Sequence, residues 1–242
     1  MTAFVENRTA WRRVISIIAL GGLAPGLSVA AGAAAAGQAH AGFVATWRIE
    51  KPVLELKTLN GKEPPLLPQA RADYEKTRAA RRAGDNRWDP VYQCNMHGVP
   101  RIQYENMPFQ ILQTPKQVLF MFQWNREFRM IDMGVEHTPP VGPTYMGQSV
   151  GHWDGDTLVV DTNGFDVGTF LDASGLPHGM SLHVVERYRV IDGGRTLLGH
   201  YTIEDPETFS SSWETEARFK RLRGVDITED VCVERLNLPQ YQ

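Results

Sequence analysis

The run HVVERYRVIDGGRTLLGHYTIE, from His183 to Glu204, decides how this chain is read. Two alternating segments flank Asp192-Gly193-Gly194, and paired glycines suit the positive φ that a two-residue hairpin turn demands. With Gly193-Gly194 as the turn, Asp192 faces Arg195 and pairing proceeds outward. Val190 meets Leu197, Tyr188 meets Gly199, Glu186 meets Tyr201, and Val184 meets Ile203. Side chains alternate along a strand, so these pairs share one face. That face is apolar except for Glu186 and the Tyr201 hydroxyl, and it is expected to point inward. The opposite face pairs Arg189 with Leu198, Arg187 with His200, Val185 with Thr202 and His183 with Glu204, and is expected to be solvated. A slip of one residue would invert every assignment.

Working outward, the pattern predicts further strands over 109–113, 117–124, 127–133, 157–162, 181–191, 196–205 and 212–222. Their linkers are turn chemistry, such as Thr114-Pro115-Lys116, Asp154-Gly155-Asp156 and Asp205-Pro206-Glu207. Strands joined by short turns make an antiparallel meander, and seven or more imply a barrel or two packed sheets. The fold class is therefore mainly β, a meander closing into a lipocalin- or calycin-like barrel or forming a sandwich. One charged surface helix precedes it, over Pro68 to Arg82, stopped by Gly84-Asp85-Asn86. Residues 42–90 form an extended arm and this helix, and 91–242 the barrel-like body, as one structural domain.

Residues 1–41 follow the order of an export signal: Arg8, Arg12 and Arg13, then the apolar Val14–Leu20, then small residues to Ala41. The apolar run is shorter than the ~20 residues a membrane helix needs. Arg12-Arg13 fits a twin-arginine signal as well as an ordinary Sec signal. The segment holds three Arg and one Glu, so its removal takes the formal net charge from −3 to −5. Mild acidity argues against nucleic acid or an anionic membrane as partner. A periplasmic or secreted location permits a disulfide between the two cysteines, Cys94 and Cys232, two buried thiols being the other reading.

A lone inward carboxylate such as Glu186 is costly unless paired, and a buried Glu is a common general acid or base. The structural alternative is a polar pair with Tyr201 or with an inward Arg. His178 follows Leu176-Pro177 in a loop, where a side chain can face a cavity mouth. Asp172 shares a loop with Phe170, an acidic and aromatic lining suited to a ligand. Trp153 enters the Asp154-Gly155-Asp156 turn. Val118, Phe120, Phe122 and Trp124 form an aromatic stripe, either core or pocket lining. His152, His178 and His183 lack any H-x-H or H-E-x-x-H spacing, so no metal is expected. His97 and His137 lie in coil with no partner visible from sequence.

The runs CNMHGVPR (94–101), FQILQTPKQVLFMFQWNREFR (109–129), GQSVGHWDGDTLVVDTNGF (147–165), PHGMSLHVVERYR (177–189) and TIEDPETF (202–209) resemble a large group of secreted bacterial proteins that share no agreed activity. By this resemblance Cys94, Arg101, Gln113, Trp153, Asp156, Asp161, Asp172, His178, His183 and Glu186 match the motif positions of that group. This chain departs from its pattern at Gln148 (usually His), Phe170 (usually Trp) and Gly179 (usually Ser).

Two functions are expected from these residues. The first is a cofactor-independent acid–base enzyme (elimination, hydration, isomerisation or hydrolysis) acting on a small apolar or aromatic molecule. Glu186, His178 and Asp172 would be its catalytic groups, and Arg101, Tyr201, Gln148, Trp153, Phe170 and Trp124 its substrate contacts. The second is a lipocalin-like carrier without catalysis, with a metal- or haem-binding protein behind both.

Overall fold

A computed structural model describes residues 40, 42–138 and 142–236. The segment expected to be an export signal thus lies outside the described residues except for His40. Nine strands close into a barrel in sequence order: β1 (Ala45–Ile49), β2 (Phe109–Gln113), β3 (Gln117–Phe122), β4 (Phe128–Met133), β5 (Gln148–Asp154), β6 (Thr157–Asn163), β7 (His183–Ile191), β8 (Thr196–Glu204) and β9 (Trp213–Leu222). Helix α1 (Pro68–Arg82) has the bounds expected from its composition, with Pro68 opening it and Arg81 and Arg82 in its last turn.

The β7–β8 register is the one read from the sequence, from His183 opposite Glu204 to Val190 opposite Leu197. The turn itself is wider than two residues. Ile191 and Thr196 form the last pair, and Asp192, Gly193 and Gly194 all take positive φ. Register survives because widening the loop symmetrically leaves the pairing sum unchanged.

Three features differ from the sequence expectation. β1 belongs to the barrel and closes it, pairing Trp47 with both Phe109 of β2 and Arg221 of β9. The segment read as an arm therefore supplies a strand. β5 was not expected, and it runs parallel to β4, so the sheet is not wholly an antiparallel meander. Parallel neighbours need a crossover, here residues 134–147, instead of a tight turn. Finally, β3 ends at Phe122, and Trp124 begins a 3₁₀ turn outside the strand.

The barrel interior is a packed core. Trp47, Ile111, Phe120, Leu158, Tyr188, Leu197 and Phe219 have no exposed surface. Phe109 meets Phe219 edge-on at 5.3 Å between centroids, and Phe120 meets Tyr188 at 5.5 Å. Burial on this scale is the main force closing the sheet. Outside it, Cys94 and Cys232 form a disulfide that ties the coil after Pro90–Gln93 to the short helix α2 (Cys232–Leu236).

Candidate functional site

Two charge systems sit on opposite faces of β6 and β7. The first is inside the barrel. Glu186 is fully buried, as the hairpin register requires, and its partner is Arg129 of β4. Arg129 Nη1 donates to Glu186 Oε1 at 3.0 Å, and Nη2 donates to Oε2. Arg129 Nε donates to Ser149 Oγ (3.0 Å) and Nη2 also to Thr162 Oγ1 (2.7 Å). Tyr188 OH and Gln103 Nε2 donate to Glu186 Oε1, and Tyr201 OH donates to Gln103 Oε1 at 2.7 Å. Burial opposes the guanidinium charge, but the adjacent carboxylate more than offsets it and holds Arg129 cationic. Burial, and then the Glu186 charge, push the Tyr188 hydroxyl well above its ordinary range. The result is a dry, hydrogen-bonded ion pair, the arrangement a structural polar core requires.

The second system is on the outer face. His137, in the described segment that follows β4, has its Nε2 2.8 Å from Asp161 Oδ1 of β6. His183 Nε2 reaches the same oxygen at 2.9 Å. The side chains of His137, His183 and Asp161 retain 23%, 37% and 39% of their exposure, so solvent reaches all three. Partial burial would raise the Asp161 carboxyl, but the bonds and charges of His137 and His183 outweigh it and hold the group below its usual range. An ionised carboxylate can only accept, so both Nε2 atoms must carry hydrogen. In the neutral ring Nδ1 is then the lone-pair nitrogen. Gln148 stands opposite Asn163 on the same outer face and donates from Nε2 to Thr138 Oγ1 at 2.9 Å.

The loop between β6 and β7 holds two more of the expected residues in structural roles. Asp172 Oδ1 accepts from Ser174 N, Ser174 Oγ and Leu176 N, and Oδ2 accepts from Leu56 N and Tyr74 OH, all between 2.9 and 3.1 Å. Five donors make this carboxylate the knot joining the arm, α1 and the loop. His178 is 8% exposed. Its Nδ1 lies 3.0 Å from the Gly179 carbonyl, to which it can only donate, so Nε2 accepts from the Thr169 hydroxyl at 2.9 Å. Burial lowers its pKa. Gly179 is packed so closely that a Cβ there would lie 2.6 Å from Glu207 Oε2, and its N–H donates to Asp205 Oδ2. Glycine at 179 thus matches a close approach by Glu207.

Glu186, His178 and Asp172 therefore belong to three separate hydrogen-bonded groups. Arg101 is bound bidentately to buried Asp89 (2.8 and 2.6 Å), so it belongs to a fourth. Tyr201 does join Glu186, through Gln103 and Tyr188. Trp153 stacks on His40 at 3.5 Å, Phe170 meets Trp88 edge-on at 5.4 Å, and Trp124 meets His97 at 4.9 Å. His183 faces outward as expected, but its ring turns to Asp161 although its backbone stands opposite Glu204. Sequence reasoning missed Arg129, Gln103 and His137. An inward Glu186 demands a cation on another strand, and that demand was the available signal for Arg129.

Among the described residues, no group of three or more His, Cys, Asp or Glu is disposed to hold a metal ion, and no described helix is long and apolar enough to cross a membrane. No protein-family model matches the chain, and no curated protein matches it.

Proposed function

We propose that the chain is an exported enzyme that moves protons on a small organic molecule at the outer His137–Asp161–His183 cluster. The observation that carries this reading is the single Asp161 oxygen shared by two partly exposed imidazoles. Asp161 fixes each ring with hydrogen on Nε2, which leaves Nδ1 as the basic nitrogen. His183, the more exposed ring, is the general base, and Asp161 stabilises the imidazolium that forms. His137 is a second ring on the same carboxylate and restrains its orientation. Gln148, where related motifs carry His, contributes an amide without proton-transfer capacity. Export rests on the basic, apolar and small-residue order of residues 1–41 and on the resemblance to secreted bacterial proteins.

This reading moves the chemistry away from Glu186, which is paired with Arg129 and has no exposed surface. The same pairing favours the second reading, a binding protein whose barrel interior is purely structural.

Native mass spectrometry of the exported protein would identify a molecule that co-purifies with it, and hydrogen–deuterium exchange into that molecule would follow proton transfer. The enzyme reading expects exchange that falls ~10²–10⁴-fold in both Asp161→Asn and His183→Gln. Binding with no exchange above the buffer rate would establish the carrier instead.

A further inference from the structure

The outer surface of the barrel is not uniform. On β7 and β9 the outward positions include Arg187, Arg189, Glu214, Glu216, Arg218 and Lys220. On β2, β3 and β4 they include Leu112, Leu119, Met121, Phe128 and Met130, with Gln110 beside Met121 and with Gln117 and Asp132 paired at one end. Register places Leu112 beside Leu119 and Leu119 beside Met130, with Met121 beside Phe128 in the next row. Phe128 is 56% exposed, Met130 52% and Leu112 38%. The cause lies in β4, where Arg129 turns inward to reach Glu186 and strand alternation sends Phe128 and Met130 out. A contiguous apolar patch of this kind marks an interaction surface.

We infer that this β2–β4 face is the contact between two copies of the chain. The barrel is closed, so among the described residues no sheet edge is free for strand addition and association is expected to use a face. The rim carries both signs of charge at both ends. Arg126 and Glu229 form an ion pair just before β4, and Lys116 and Asp132 stand at its far end, beside Gln117. A two-fold axis through Leu119 brings one end of the patch against the other end of its copy. Arg126 then meets Asp132 and Glu229 meets Lys116, a self-complementary arrangement. A rim of mixed sign does not select an anionic lipid surface, which would want cations alone. A stable interface takes about 800 Å² from each partner, so the charged rim takes part along with the five apolar side chains.

Sedimentation equilibrium of the exported protein tests this. A reversible dimer is expected. Phe128→Glu or Met130→Glu should weaken it at least tenfold, whereas Glu216→Lys on the charged face should leave it unchanged. Lys116→Glu should weaken the dimer, and adding Glu229→Lys should restore it. Hydroxyl-radical footprinting of the unaltered protein gives an answer that needs no variant: Phe128 and Met130 should become protected as concentration rises through the dimer range. The inference is overturned by a monomer at every concentration. It is equally overturned by a dimer indifferent to Phe128→Glu and Met130→Glu, by unprotected Phe128 and Met130, or by a monomer that binds phosphatidylcholine vesicles through this face.

Discussion

The Arg129–Glu186 pair and the His137–Asp161–His183 cluster lie on opposite faces of neighbouring strands, yet burial gives them opposite roles. Val160, opposite Glu186 in the β6–β7 ladder, is the chain neighbour of Asp161, so one peptide step separates the dry face from the wet one. Inside, desolvation makes an unpaired charge very costly. Nearly every donor of Arg129 is committed and Glu186 accepts from three residues. Such a carboxylate is held by its counter-ion and by neutral donors within the core. Outside, solvent screens the charges and the pairing contributes little to stability, and it is there that the proposed chemistry is placed. Titratable residues in a sequence become comparable only once the face of the strand is known.

The largest expected effect comes from breaking the inner pair. Arg129→Met strands the Glu186 charge in the core and should cost about 3–5 kcal/mol in denaturant unfolding. Replacing both residues with Met should cost less than Arg129→Met alone, because no buried charge is then left unpaired. Asp172→Ala removes the acceptor of five hydrogen bonds and should cost about 2–3 kcal/mol by the same measurement.

A smaller effect is expected at His178. Its folded pKa is lowered by burial, so the unfolded chain binds its proton more readily. Its contribution should be fully present above the unfolded value of about 6.5 and should fade as pH falls through the lowered folded value. His178→Gln should flatten that part of the stability profile between pH 7 and 5. Smallest should be Asp161→Asn, a partly exposed pair screened by solvent, at under about 1 kcal/mol.

Much of the fold was legible because local patterns agree with the global one. Alternation and the Gly193-Gly194 turn are enough to place Glu186 inside, and composition bounds α1. β1 escaped notice because its partners, β2 and β9, are distant in sequence and no turn signal adjoins it. β5 was obscured by Gly151 and by turn chemistry at its end, and its parallel pairing depends on a crossover that leaves no short-range mark. The site was less legible. β4 reads Phe-Arg-Met-Ile-Asp-Met, a pattern in which neither face is cleanly apolar, so nothing local says that Arg129 turns in. His137 meets Asp161 through a contact between segments 24 residues apart that no local pattern announces. The acidic and aromatic loop around Asp172 reads like a ligand lining, but its carboxylate is consumed by backbone and hydroxyl donors of its own chain.

Thermal and denaturant unfolding of Glu186→Gln and Asp161→Asn, measured side by side, tests most directly whether the inner carboxylate is structural and the outer one free to act. Glu186→Gln should lose about 3–5 kcal/mol, since it leaves Arg129 buried without a counter-charge, while Asp161→Asn should unfold within about 1 kcal/mol of the unaltered protein. A Glu186→Gln protein as stable as the original, beside an Asp161→Asn protein that has lost several kcal/mol, would contradict the account.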